Sequence, residues 1–255
     1  HPRNEPNYKE SGIFRSDDAG ATWNEINMGL PEARFRGRIG LDGSVSNPNV
    51  VYAFVDNYEA AREAGEEESD SYGRPRGPII YGATIYRSDN RGDSWSRVSE
   101  QNAYMEGLSS TYGWVFGQMR VDPNDENRIY VMGLALNVSD DGGKTFRRLD
   151  GMHGDHHGLW IDPNNSNYLV NVNDGGLAIS YDRGENWKRM SDGLPLVQFF
   201  NVSNDLAEPF NVYGSVQDHG SYKGTIDLSR GRANIPAVAF ESAPGGEGSR
   251  HAIDP

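Results

Sequence analysis

Apolar residues in this chain come in short runs of three to eight. Within or beside each run they alternate with polar residues, and clusters rich in Asp, Asn, Gly, Ser and Pro separate one run from the next. Period-two alternation between frequent turn signals predicts half-buried β-strands, not helices. The most regular signal is a turn that occurs four times: Ser16-Asp17-Asp18-Ala19-Gly20-Ala21-Thr22-Trp23, Ser88 to Trp95, Ser139 to Phe146 and Ser180 to Trp187. Its pattern is Ser-x-Asp-x-Gly-x-(Thr/Ser)-aromatic, with Asn90 replacing Asp in the second copy and Asn186 replacing Thr in the fourth. A short apolar run precedes each copy and an alternating one follows it, as in a hairpin with a structured turn.

The residue types of the turn have a structural purpose. A short Asp or Asn side chain accepts bonds from backbone N–H groups a few residues on, and Gly supplies the positive φ that closes the turn. The terminal aromatic is expected to cover the neighbouring hairpin. Asp18, Asn90, Asp141 and Asp182, with Trp23, Trp95, Phe146 and Trp187, are therefore read as scaffold.

A second turn interleaves with the first. Ser46-Asn47-Pro48, Asp122-Pro123-Asn124 and Asp162-Pro163-Asn164 each separate two strands, and Asp205 to Tyr213 is a degenerate fourth. One unit then reads strand A, Pro-turn, strand B, loop, strand C, Asp-turn, strand D. Four antiparallel strands per unit, repeated, predict an all-β propeller of four-stranded blades. Equivalent turn positions Asp18, Asn90, Asp141 and Asp182 are 72, 51 and 41 residues apart. The extra length of the first interval lies mostly in an insertion in a B–C loop, residues 57–82, whose Tyr58–Glu68 portion is expected to form a short acidic helix followed by a flexible loop. The first residues supply a C–D half-blade and Ile253-Asp254-Pro255 a lone strand A. The expected organisation is thus a single propeller or partial propeller over residues 1–255, truncated at both ends and part of a ring of seven or more blades.

These turns resemble the Asp-box (bacterial neuraminidase, BNR) repeat propellers. Residues Gly154–Gly220, with Asp155-His156-His157-Gly158-Leu159-Trp160 and Asn173-Asp174-Gly175-Gly176, are most similar to the sortilin-like bacterial members often labelled glycosyl hydrolase. The resemblance implies an exported protein, periplasmic, cell-surface or extracellular and bacterial. It implies a fold far more sharply than an activity.

Because strands alternate direction, the A–B and C–D turns share one face of the ring and the B–C and D–A loops share the other, where function is expected. That second face carries the unusual residues: Asp155, His156 and His157; Asp174; Gln198; Gln217, Asp218 and His219; Glu247, Arg250 and His251; and, near the insertion, Tyr104, Tyr112 and Trp114 for stacking on sugars or peptide side chains. The preferred reading is a binding or assembly module that recognises a protein, peptide or glycan there, alongside the rest of a longer chain or other subunits. The alternative is a xyloglucanase- or sialidase-like glycoside hydrolase using carboxylates from Asp155, Asp174 and Asp218. Arg34, Arg36 and Arg38 lie in one segment and do not make the separated arginine triad of a sialidase. No cofactor is expected. A divalent ion on Asp155, His156 and His219, with His157 and Asp218 as further candidate ligands, is disfavoured because consecutive strand residues point to opposite sides, so that His156 and His157 cannot both face one ion on a regular strand.

Composition narrows the partners. A net charge of −13 opposes a nucleic-acid surface. No apolar run reaches membrane length. The absence of cysteine removes disulfide and thiol chemistry.

Overall fold

The computed structural model describes residues 11–69, 72–108, 117–190 and 198–253. The chain divides into two compact units, residues 1–189 and 190–255. The first opens with a two-stranded hairpin, β1 (Phe14–Arg15) and β2 (Asn24–Glu25). Three four-stranded antiparallel sheets follow. Blade one comprises β3 (Arg36–Gly43), β4 (Val51–Arg62), β5 (Ile79–Ser88) and β6 (Ser96–Arg97). A short helix, α1 (Ala103–Leu108), leads into blade two: β7 (Gln118–Asp122), β8 (Asp125–Met132), β9 (Leu136–Ser139) and β10 (Arg147–Leu149). Blade three comprises β11 (His156–Asp162), β12 (Asn165–Asn173), β13 (Gly176–Ser180) and β14 (Lys188–Arg189). The second unit holds one further sheet of β15 (Phe199–Asn204), β16 (Phe210–Val216), β17 (Gly220–Ile226) and β18 (Glu241–Gly246). Strands follow one another in chain order within every sheet, the meander of a propeller blade. Ile253 lies outside any strand, and Asp254 and Pro255 fall outside the described residues.

The core of the first unit lies between consecutive sheets. Ile129 and Val131 of β8 pack with Tyr52, Phe54 and Ile85 of blade one, while Tyr130 and Met132 face the other way onto Leu159, Ile161 and Leu169 of blade three. Side chains alternate across a strand, so a sheet buried on both faces needs an unbroken apolar run, and Ile129-Tyr130-Val131-Met132 is one. First strands also meet directly: Val121 N–H of β7 donates to Asp42 Oδ2 of β3 at 2.8 Å.

All four Ser-x-Asp turns close in the same way. In the third, Ser139 Oγ donates to Asp141 Oδ1 (2.7 Å) and accepts from Gly143 N–H (2.9 Å), and Asp141 takes Thr145 N–H (3.0 Å) and Thr145 Oγ1 (2.6 Å). In the second, Asn90 Oδ1 accepts Ser94 N–H at 3.0 Å, and its amide donates to Ser94 Oγ. The two residues after the Asp or Asn occupy the left-handed region in every copy: Ala19-Gly20, Arg91-Gly92, Gly142-Gly143 and Arg183-Gly184. Trp95, Phe146 and Trp187 each pack backwards onto the preceding sheet or hairpin. Trp23 departs from this expectation and is 62 % exposed. Among the described residues no sheet precedes its hairpin, so the ring has nothing to cover.

These bonds make the turns acid-sensitive. Donors from Thr22 and Ser16 hold Asp18 down at about 2, from an ordinary 3.8. Asn186 and Ser180 lower Asp182. In Asp141 burial pushes the other way, but the Thr145 and Ser139 donors prevail and the group is lowered too. A depressed folded pKa contributes stability that is present above the unfolded value and lost as pH falls through the folded one. Urea midpoints are therefore expected to drop between about pH 4 and about pH 2. Asp141→Asn, which copies the naturally uncharged second turn, should make that decline shallower; an unchanged slope would show that the turn carboxylates do not contribute.

The insertion differs from its predicted form. β4 continues to Arg62, with Ala60 paired to Ile80 and Arg62 to Ile79 of β5 across two register irregularities, so residues 58–62 are strand and not helix. Cross-strand pairing overrides the helix preference of the Glu-Ala-Ala-Arg run. Residues 63–69 and 72–78 are loop, braced by a bridge between Ser69 and Pro75.

Candidate functional site

Hydrogen bonds between loops identify the two faces of the first unit. The Asp-turn of each complete blade donates to the Pro-turn of the same blade: Arg91 N–H to Asn49 O (2.9 Å), Gly142 N–H to Asn127 O (2.8 Å) and Arg183 N–H to Asn167 O (3.2 Å). These turns form one locked face. On the opposite face, the D–A loop of blade three bonds to the B–C turn of blade two through Asp155 N–H to Leu134 O (3.2 Å) and His156 N–H to Gly133 O (2.9 Å).

The histidine-rich loop separates into an interior half and a surface half. The His156 ring is 3 % exposed, and its Nδ1 lies 2.9 Å from Asn171 Oδ1. Burial lowers its pKa against the opposing pull of Asn171, which keeps the imidazole neutral. Asn171 donates through Nδ2 to Gly158 O (3.0 Å), so its Oδ1 is the acceptor and the imidazole proton sits on Nδ1. Asn173 Nδ2 donates to the same Asn171 oxygen, and Asn173 Oδ1 accepts Gly175 N–H, both at 2.9 Å. This buried polar chain sets the shape of the Asn173-Asp174-Gly175 turn. His157, next along the strand, points outward with Nε2 2.7 Å from Asp174 Oδ1. Asp155 has φ +60°, a conformation that costs a residue with a Cβ and gathers at working sites. Its carboxylate comes within 4.8 Å of that of Asp174. The first unit thus assembles Asp155, His157 and Asp174 at the surface and takes His156 into the interior as their support.

The remaining predicted residues belong to other elements. Gln198 is exposed ahead of β15. Gln217, Asp218 and His219 form the β16–β17 turn of the second unit, with Asp218 at φ +57° and His219 N–H bonded to Val216 O. Arg250 is exposed, and His251 Nε2 lies 3.2 Å from Pro244 O. Tyr112 and Trp114 lie outside the described residues. The set Asp155, His156 and His219 does not assemble within the first unit, since His156 is committed to Asn171 and His219 belongs to the second. Tyr104 is spent on a hydrogen bond to Asn137. Arg36 is buried while Arg34 and Arg38 are exposed, so these three arginines do not converge.

Sequence reasoning did not find an open pocket of about 770 Å³ on the same face, between the insertion, α1 and the 3-10 turn Ala33–Phe35. Arg34, Phe35, Tyr58, Arg62, Arg76 and Ile80 contribute to its wall. Arg62 reaches Glu68 with both terminal nitrogens (2.7 and 2.9 Å) and Glu106 at 3.2 Å, tying the insertion to α1. The Arg62 fork and the Gly65 N–H hold Glu68 at about 2. The one sequence signal for this pocket is the long first interval between turns.

Sheet order, inter-sheet core and turn chemistry define an all-β protein built from propeller-type blades. No family model matches the chain, and no curated protein matches it. Among solved structures it is similar to a GH74 enzyme of Niastella koreensis (14% identity, TM-score 0.49, 91% of this chain and 34% of that one). It is also similar to a GH74 xyloglucanase of Xanthomonas campestris (15%, 0.48, 95% and 36%) and to YCF48 of Cyanidioschyzon merolae (14%, 0.42, 88% and 60%). The chain spans about a third of the length of the first two.

Proposed function

We propose that the chain is an exported Asp-box propeller module that binds a protein, peptide or glycan on the face of its B–C and D–A loops. The observation that supports this reading most is the surface group Asp155, His157 and Asp174, held by the interior His156–Asn171–Asn173 chain. A rigid, partly exposed polar group on a fixed scaffold suits recognition. The glycoside hydrolase reading is served less well by the same geometry. Carboxylates whose oxygens come within 4.8 Å are closer than the roughly 6.5–9.5 Å of an inverting pair and nearer the roughly 5–5.5 Å of a retaining pair, but a retaining nucleophile must be open to the sugar and Asp174 already accepts from His157. The opposite face is scaffold, because its turn side chains are consumed by their own hydrogen bonds.

The test is capture on glycan and peptide arrays, followed by titration of the best ligand against the full chain and its Asp174→Asn variant. Saturable binding is expected, weakened about tenfold in the variant by loss of a charge-assisted contact. Equal binding by the two proteins, both folded, would remove this group from the recognition surface.

A further inference from the structure

The pocket beside the insertion has a composition that specifies a ligand. Its apolar wall includes Phe35, Tyr58, Pro78, Ile79 and Ile80, and three guanidinium groups, Arg34, Arg62 and Arg76, share it with Glu68 and Glu106. Arg62 is neutralised by the two glutamates. Arg34 meets Glu32 only through Nε, at 2.8 Å, and Arg76 makes no ion pair among the described residues. The three guanidiniums are balanced by Glu32, Glu68 and Glu106, but the terminal nitrogens of Arg34 and the head of Arg76 are not taken up by these ion pairs and remain as donors at an apolar cavity. Among the described residues no Asn, Gln, Ser, Thr, His or Trp lines the pocket, and the one hydroxyl among them, on Tyr58, is engaged by Asp56. Among these residues a hydroxyl-rich sugar would find few neutral side-chain partners.

The wall is also pre-formed. Gly82, at φ +70°, lies so close to α1 that a Cβ would stand 2.9 Å from Glu106 O and 3.1 Å from Met105 O. The Arg62 fork then fixes the loop to the helix. A concave site of this volume, mostly apolar with a few placed charges, is of the size that holds a small molecule. A guanidinium selects an oxyanion.

We propose that this pocket binds a small organic acid: one carboxylate, held by Arg34 and Arg76, on an apolar or aromatic body seated against Phe35, Tyr58 and Ile80. It is a ligand site separate from the Asp155–His157–Asp174 group and does not depend on the reading of that group.

The experiment is calorimetric titration of the full chain with 4-phenylbutanoate and 4-methylpentanoate, each beside its amide. The acids are expected to saturate, with the amides about tenfold weaker or undetectable. Arg76→Gln and Arg34→Gln change exposed side chains and should each weaken acid binding about tenfold while leaving the unfolding midpoint in place. Asp174→Asn should bind the acids as the parent does, which separates this site from the recognition group. Amides binding as well as acids, indifference to both arginine variants, or saturation only by peptides or oligouronates would overturn the assignment.

Discussion

Gly40→Ala is expected to cost the fold about 3 kcal/mol or more, the largest effect of any single methyl group considered. Gly40 lies in the first strand of blade one, where a Cβ would stand 1.9 Å from the carbonyl oxygen of Gly117 at the entry to blade two. The obstacle is backbone, so no side chain can swing aside. Gly117 is fixed in turn, at φ +102° with Phe54 across from it: a Cβ there would come within 2.7 Å of the Phe54 ring. Gly43→Ala in the same strand is the control, because the nearest atom to its Cβ would be Val50 O at an ordinary 3.8 Å. Urea unfolding should show a large drop in midpoint for Gly40→Ala and a small one for Gly43→Ala. Equal midpoints would mean that the first strands of the two blades are not in contact.

Tyr130→Ala should destabilise by about 4 kcal/mol, and Tyr130→Phe by about 1–2 kcal/mol. The residue is fully buried between blades two and three, in the cluster with Leu149, Leu159 and Leu169. Its hydroxyl accepts from Arg128 Nε at 2.7 Å and donates to Arg183 O at 3.4 Å. Burial raises the phenol pKa, so the ring stays neutral throughout the accessible range. Truncation to Ala empties a ring-sized space, whereas Phe fills it and leaves buried Arg128 one acceptor short. Thermal or urea unfolding of both variants separates packing from the hydrogen bond. A Phe variant as damaged as the Ala variant would place the hydroxyl, not the ring, at the centre of this joint.

What could be read from the sequence was what local chemistry decides. The partners of Asp141 are Ser139, Lys144 and Thr145, so its turn is written within seven residues and repeats intact. Strand period two sets His156 and His157 on opposite sides, and in the structure His156 is buried and His157 exposed. Distant pairing was not legible. Glu59-Ala60-Ala61-Arg62 has helical composition, and only its pairing with Ile79 and Ile80 makes it strand. The pocket follows from that pairing, because Arg62 can reach Glu106, 44 residues away, only once β4 is extended. Nor does any pattern in Arg34-Phe35-Arg36 tell which arginine is buried. That depends on how the strand enters its sheet.

The central claim is that the B–C and D–A loop face recognises a ligand without transforming it. The measurement that tests it most directly is product release from a panel of xyloglucan, other polysaccharides and sialosides, using the full chain beside Asp155→Asn and Asp174→Asn. The account predicts no release from any substrate by the parent or either variant, with all three proteins folded and the parent still binding its array ligand. Turnover by the parent that falls by orders of magnitude in either variant, without loss of stability, would contradict it and make these carboxylates the working pair of a glycoside hydrolase.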